Sequence, residues 1–157
     1  SFGNNFRLTE MQSQIGLIQL NKISNWTKIR ARNALILYRA IKKINFVRIP
    51  IPEKKITHAW YKFYFYIKEE LISEDWDRNK IINEINNRNM PAFHGGCSEI
   101  YLEKCFIKRN LGPTKRLPVA KELGESSIML LIHPNIDEKN MINYANIVHQ
   151  VLSLAVK

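Results

Sequence analysis

Apolar positions near the start of the chain repeat with a helical period. Thr9 followed by Gln12 has the form of a capping box, in which the hydroxyl accepts one orphan amide and the glutamine side chain reaches back to another. Met11, Ile15 and Ile18, widened by Leu17 and Leu20, make an amphipathic stripe that predicts a helix over residues 9–21. Ser24 can cap a second, longer helix with a seam of Trp26, Ile29, Asn33, Ile36, Leu37, Ala40, Ile41 and Ile44. Lys28, Arg30, Arg32, Arg39, Lys42 and Lys43 fall on its other sides. The pattern predicts a helical pair joined by a short turn. Pro50 and Pro52 in RIPIPEKK lack amide protons and fix their backbone angles, so this stretch reads as an extended linker and a candidate boundary.

The period then shortens to two. Over residues 58–67, HAWYKFYFYI, the residues Tyr61, Phe63, Phe65 and Ile67 fall on one side and Trp60, Lys62, Tyr64 and Tyr66 on the other, which predicts a strand with one apolar face. Asp77 caps a helix carrying Ile81, Ile82 and Ile85, and NRNMPAF turns into a short strand. After the Gly95–Gly96 pair, Ser98 is placed to cap a short helix containing Ile100, Tyr101 and Leu102. LPVAKEL predicts one or two helical turns opened by Pro118 and ended by Gly124. SIMLLIHP is apolar throughout and of strand length, and Asp137 caps a last helix with a stripe of Met141, Tyr144, Ala145, Val148 and Leu152. The fold class expected is α/β, or α+β in layers: a small, mostly antiparallel sheet with helices packed on it, preceded by the helical pair.

Composition narrows the partners only slightly. At 157 residues, 45% hydrophobic and 24% charged, the chain suits one ordinary core, and no apolar run nears the roughly 20 residues of a membrane span. No initiating Met and no basic-then-apolar leader open it, so it is expected to continue a longer polypeptide. Two cysteines make no disulfide framework, which fits the cytoplasm and no membrane partner. The formal charge of +10 suits a nucleic acid or a polyanionic substrate, although the cations are scattered and abundant lysine accounts for them.

Candidate chemistry is sparse. His94, Cys97, Cys105 and His133 carry zinc-ligand atoms, but their spacing matches no usual zinc site, so no metal is expected. Ser98, His94 and Glu99 are neighbours in sequence without the spatial arrangement of a nucleophilic triad being implied, and turn and cap chemistry explains them. No Walker loop and no G-x-G-x-x-G follows a predicted strand. Rings interleaved with a lysine in AWYKFYFYI raise base stacking by an RNA-binding sheet, yet the strand has no glycine to let a base approach, and nucleic acid is not the expected partner.

One resemblance spans almost the whole chain. Gly3, Asn5, Arg7, Thr9 or Glu10, and the pair Gln19 and Leu20 follow a G-x-N-x-R-[LM]-[ST]-[ED]-x-Q pattern, and the likeness continues through HAWYKF, GGCSEIYLEKCF and LPVAKELGESSIMLLIHP. In these blocks the chain resembles the DegT/DnrJ/StrS-type sugar aminotransferases, pyridoxal-phosphate enzymes of the aspartate-aminotransferase fold. The resemblance implies the C-terminal part of such an enzyme: residues 1–23 as the tail of the large cofactor-binding domain, 24–49 as a long connecting helix, and 50–157 as the small C-terminal domain. It implies amino transfer from an amino acid such as glutamate to a nucleotide-linked keto sugar, within a homodimer. The lysine that holds the cofactor as a Schiff base is expected upstream, so no catalytic residue is assigned within the chain, which should be inactive alone. Asn5, reaching across the dimer interface, and Arg7 are the implied contacts of the cofactor phosphate; an amide donor and a guanidinium suit that anion. His94, Ser98, Glu99 and Tyr101, at the mouth of the implied active site, are the candidate substrate contacts. The reading from another class is a stand-alone basic module binding RNA or protein.

The apolar stripe over residues 9–21 is expected to need a cover, supplied by the large domain or a partner subunit.

Overall fold

The structure is a computed structural model, described here for residues 7–157. Its first element is a single helix, α1, Glu10–Ile41, of 32 residues. The capping box forms as expected: Gln12 N donates to Thr9 Oγ1 at 3.3 Å, and Thr9 N donates to Gln12 Oε1 at 3.0 Å. The expected helical pair is corrected to one continuous rod of about 48 Å. Ser24 does not cap a second helix because nothing stops the first; the segment Leu20 to Ser24 holds neither proline nor glycine and every residue tolerates helical angles.

The remainder follows the expected class. β1 (Val47–Arg48) and β2 (Phe63–Ile67) are followed by α2 (Arg78–Asn87), β3 (Ala92–His94), the short α3 (Lys104–Ile107), α4 (Pro118–Ser126), β4 (Ser127–Leu130) and α5 (Glu138–Leu154). The sheet is antiparallel throughout, in the order β1-β2-β4-β3. Its helix-covered face carries Phe63, Phe65 and Ile67 of β2 with Ile128 and Leu130 of β4. These meet Ile81, Ile82 and Ile85 of α2, the stripe of α5 and Leu37 and Ile41 of α1 in one core. Fully burying one Leu, Ile or Phe side chain contributes about 1.5–3 kcal/mol, so this layer holds the fold.

Polar caps decide the joints. Asp77 Oδ1 accepts from Lys80 N and Asp137 Oδ1 from Asn140 N, as expected from the sequence. Asn86 imitates a neighbouring strand for the outer edge of β3, accepting from Ala92 N and donating to Ala92 O, each at 2.9 Å. Asn33 is fully buried where α1 crosses the β4–α5 connection. Its Nδ2 donates to the carbonyls of His133 and Ile136 at 3.3 Å each, while its Oδ1 accepts from Arg32.

Three local expectations need correction. The strand expected over residues 58–67 begins only at Phe63, because Trp60 takes a left-handed backbone (φ 48°) that breaks the alternation and leaves Tyr61 exposed. Ser98 does not cap the next turn: Ile100–Leu102 is one 3-10 turn with Glu99 at the cap position and no side-chain cap bond. Gly124 does not end α4 but lies within it, since a Cβ there would meet Ser98 Oγ at 2.1 Å and the helix needs that close approach. Among the described residues no helix is long and apolar enough to cross a membrane.

The amino-terminal half of α1 packs on none of this core. Leu8, Met11, Ile15, Ile18 and Leu20 are all more than half exposed, so the stripe is uncovered within the chain.

Candidate functional site

Strand register places two families of side chains on opposite faces of the sheet. Pairing of Tyr66 with Arg48 and Ser127, and of Tyr64 with Met129 and thence Phe93, puts these six on the face away from the helical core. The Arg48 guanidinium carbon sits 4.3 Å from the Tyr66 ring centroid, a cation–π contact. After β3 the chain crosses onto this outward face. Gly95 makes the crossing possible, because a Cβ there would lie 2.0 Å from Ser127 Oγ and 2.7 Å from Ser127 Cβ.

Clefts flank the two tyrosines. One of about 320 Å³ is lined by Pro50, Ile51, Pro52, His58, Trp60, Lys62, Tyr64 and Tyr66. Another of about 260 Å³ runs from the same tyrosines to Gly96, Cys97, Ser98, Leu123 and Ser127. A third, of about 450 Å³, lies beyond Arg48 and Tyr66 and is lined by Lys68 and the carboxylates of Glu69, Glu70, Glu122 and Glu125.

Trp60 is the strained residue of this region. A bulky side chain in the left-handed well costs of order 1–3 kcal/mol and persists only when its surroundings over-determine it. Here its amide donates to His58 Nδ1 at 3.0 Å, the His58 ring meets the indole edge-on at 4.6 Å, and Phe63 stacks parallel to it at 6.1 Å.

The expected substrate residues are not brought together. His94 pairs with Ile128 on the helix-covered side, where its Nε2 lies 3.0 Å from Asn79 Oδ1 at the start of α2. Ser98 is on the other side, against Gly124 of α4. Glu99 and Tyr101 do meet, around a cation that the sequence reading did not single out. Arg116 grips both carboxylate oxygens of Glu99, with Nε to Oε1 at 2.9 Å and Nη2 to Oε2. Tyr101 donates its hydroxyl to Glu99 Oε1 at 2.5 Å and accepts from Leu117 N at 2.9 Å. The Arg116 guanidinium, and then the Tyr101 hydroxyl, hold the Glu99 carboxyl down at about 2. Partial burial, reinforced by the Glu99 carboxylate, pushes the Tyr101 hydroxyl up. These bonds close the chain between residues 99 and 117 into an arm whose middle projects Ile107 and Leu111 into solvent.

Cys97 donates to Glu103 Oε1 at 3.3 Å, a bond that raises its thiol pKa, and Cys105 is partly buried; both are free thiols. Among the described residues no group of three or more His, Cys, Asp or Glu could hold a metal ion. Of the expected phosphate contacts, Asn5 lies outside the described residues, and Arg7 is exposed two positions before the α1 cap. A guanidinium next to the positive end of a long helix is chemically suited to a phosphate.

With this geometry, a family assignment follows from sequence. The pattern of the DegT/DnrJ/EryC1/StrS aminotransferase family matches residues 1–151. The chain belongs to this family. A solved aminotransferase from Psychrobacter cryohalolentis is 39% identical, matching 99% of this chain and 41% of its own, with a TM-score of 0.89. Helicobacter pylori PseC, an aminotransferase involved in the biosynthesis of pseudoaminic acid, is 24% identical over 98% of this chain and 40% of its own, TM-score 0.78. The Escherichia coli GDP-4-keto-6-deoxy-D-mannose-3-dehydratase, solved with bound hydrated pyridoxal phosphate, is 18% identical over 96% of this chain and 36% of its own, TM-score 0.75. The chain spans about two-fifths of the length of these family and fold relatives.

Arg116 was missed in the sequence because its partner is 17 residues away across a loop, beyond any local spacing rule. Tyr64 and Tyr66 are placed by the sequence opposite the apolar face of their strand but given no site role there; the signal lies in FYFYI itself, where the hydroxyl-bearing rings alternate with the buried Phe63, Phe65 and Ile67.

Proposed function

We propose that these residues form the smaller lobe of a pyridoxal-phosphate-dependent aminotransferase, which moves an amino group from an amino acid such as glutamate to a keto sugar carried on a nucleotide. The observation that carries this reading is the family match over residues 1–151, supported by the 39% identity with the Psychrobacter aminotransferase. The sugar as acceptor is supported by the printed roles of PseC and the GDP-sugar dehydratase, and the cofactor by the pyridoxal phosphate in the latter. Residues 1–23 belong in this reading to the larger cofactor-binding domain, 24–49 to the connection and 50–157 to the small domain. The continuous α1 makes the first junction rigid.

Pyridoxal phosphate, when bound, supplies the electron sink for amino transfer. The lysine that carries it is proposed to lie outside these residues. Asn5 and Arg7 would contribute an amide and a guanidinium to its phosphate, Asn5 across a homodimer interface. The uncovered stripe of Met11, Ile15 and Ile18 gives α1 an apolar surface to bury against that larger domain. The loop over residues 94–101 borders the substrate, and the Arg116–Glu99–Tyr101 clamp holds it in shape. The two free thiols suit the reducing cytoplasm.

Incubating the chain by itself with pyridoxal phosphate, glutamate and a UDP-linked keto sugar should release no 2-oxoglutarate. The same residues joined to a cofactor-bearing domain of the family should release it in step with amino-sugar formation. Turnover by the chain alone, or none by the joined protein, would overturn the reading.

A further inference from the structure

We propose that the arm closed by the Glu99–Arg116 clamp docks on an anionic lipid surface. The inference is independent of the aminotransferase reading, and it concerns a contact at the headgroups of a bilayer rather than a span.

Three observations converge. First, positive charge runs unbroken along the arm. From Lys104 to Lys121 the sequence carries Lys104, Lys108, Arg109, Lys115, Arg116 and Lys121, with no Asp or Glu between them. All six are exposed, and among the described residues Lys104, Lys108 and Lys115 enter no ion pair. Clustered cations of this kind are drawn to anionic headgroups. Second, the tip between those cations is aliphatic. Ile107 and Leu111 are each 59% exposed, and exposed Leu117 and Val119 follow at the base. An interfacial contact uses this mixture, because the aliphatic chains enter the acyl boundary while the ammonium groups stay at the phosphates. A nucleic acid would satisfy the cations but leave the aliphatic tip in water, and the rings of the arm, Tyr101 and Phe106, are partly buried rather than offered for stacking. A second copy of this chain fits less well, because its carboxylate-lined cleft already holds Arg48 and Lys68. Third, the tip is built rather than loose. α3 ends at a left-handed Asn110 (φ 52°), with Leu111 N donating to Phe106 O at 3.1 Å and Asn110 N to Ile107 O at 3.0 Å, the paired bonds of a Schellman turn. At the base Arg116 grips Glu99, and Tyr101 accepts from Leu117 N. Ile107, Lys108 and Leu111 are thereby presented together, so docking costs little ordering entropy.

The full chain would be sedimented with vesicles of phosphatidylcholine alone and of phosphatidylcholine mixed with an equal part of phosphatidylglycerol. It should partition onto the mixed vesicles and not the neutral ones, and raising the salt should release it. Lys108→Gln and Lys115→Gln should each lower the partition coefficient about 5-fold. Ile107→Ser with Leu111→Ser should lower it by about 10-fold and leave the salt dependence unchanged. These four side chains are exposed, so each variant should keep the circular dichroism of the native chain. Ile15→Gln with Ile18→Gln, which removes the other apolar surface, should bind as the native chain does. Equal binding to neutral and mixed vesicles, loss of binding in the Ile15→Gln, Ile18→Gln chain, or binding untouched by the arm variants would overturn the assignment. So would retention on poly(U) RNA that is tighter per phosphate than on the mixed vesicles and indifferent to Ile107→Ser with Leu111→Ser, which would make the arm a nucleic-acid contact. Joined to a cofactor-bearing domain, the protein should still bind the mixed vesicles through the same residues. Amino transfer without vesicle binding there would sink the docking surface and leave the aminotransferase reading intact, whereas vesicle binding without amino transfer would do the reverse.

Discussion

Single side chains at crossings carry disproportionate weight in this chain. Asn33 is fully buried and spends its amide on the carbonyls of His133 and Ile136, so Asn33→Ala removes two hydrogen bonds and leaves the carbonyls with their other donors, Ile136 N and Arg32 Nη2. A loss of about 1–3 kcal/mol is expected, read as a lower urea midpoint with the slope unchanged. Gly95 is a second such point. Gly95→Ala forces the loop away from Ser127, lowering stability by about 1–3 kcal/mol, and Ser127→Gly in the same chain should recover most of it in a double-mutant cycle. Glu99 titrates in a way that can be checked. Its carboxyl is held below the ordinary carboxylate range, so its contribution is complete above that range and fades as pH falls toward about 2. Amide exchange protection between residues 99 and 117 should therefore survive at pH 5 and collapse near pH 2, and Glu99→Gln should remove that pH dependence; a native profile identical to the variant's would refute the clamp. None of these partners is readable in the sequence, because Asn33 meets a carbonyl about 100 residues away and Gly95 meets a strand that arrives 32 positions later.

At the level of elements, local chemistry was legible where it is decided locally. The Thr9–Gln12 box, the Asp77 and Asp137 caps and the stripes of α2 and α5 depend on residues within one or two turns, and all formed as read. The boundary between the first two helices was misread because Ser24 is permitted as a cap but not compelled to be one; a helix ends where something ends it. α1 also offers a test of its bare half. Gly16 meets nothing within 4 Å, so Gly16→Ala should stabilise the helix in the chain alone by about 0.5–1 kcal/mol, visible as greater helical ellipticity. Amides over residues 10–24 should exchange much faster than those over 33–41, since only the latter half is anchored in the core. Similar rates in both halves would show that the stripe is covered after all. β2 started late for a different reason: alternation predicts pairing, but the left-handed Trp60 removes its residue from the strand plane.

Taken whole, the molecule is a layered core with one long apolar rod extending from it. That shape favours association of the isolated chain, so its elution volume should fall with rising concentration, and Ile15→Glu with Ile18→Glu should abolish the effect without lowering Tm. The amino-acid sequence by itself determined the fold class, the caps at Thr9, Asp77 and Asp137, the buried stripes of α2 and α5 and the family, because each is written in short-range period or in ordered blocks of residues. Only the tertiary structure decided that His94 faces the helices while Ser98 faces away, that Arg116 binds Glu99 and Tyr101, and that the tyrosines of β2 border a cleft with Trp60 and Lys62. Those outcomes depend on strand register and on chain crossings, where a shift of one residue turns a side chain to the opposite face, and no local pattern encodes them.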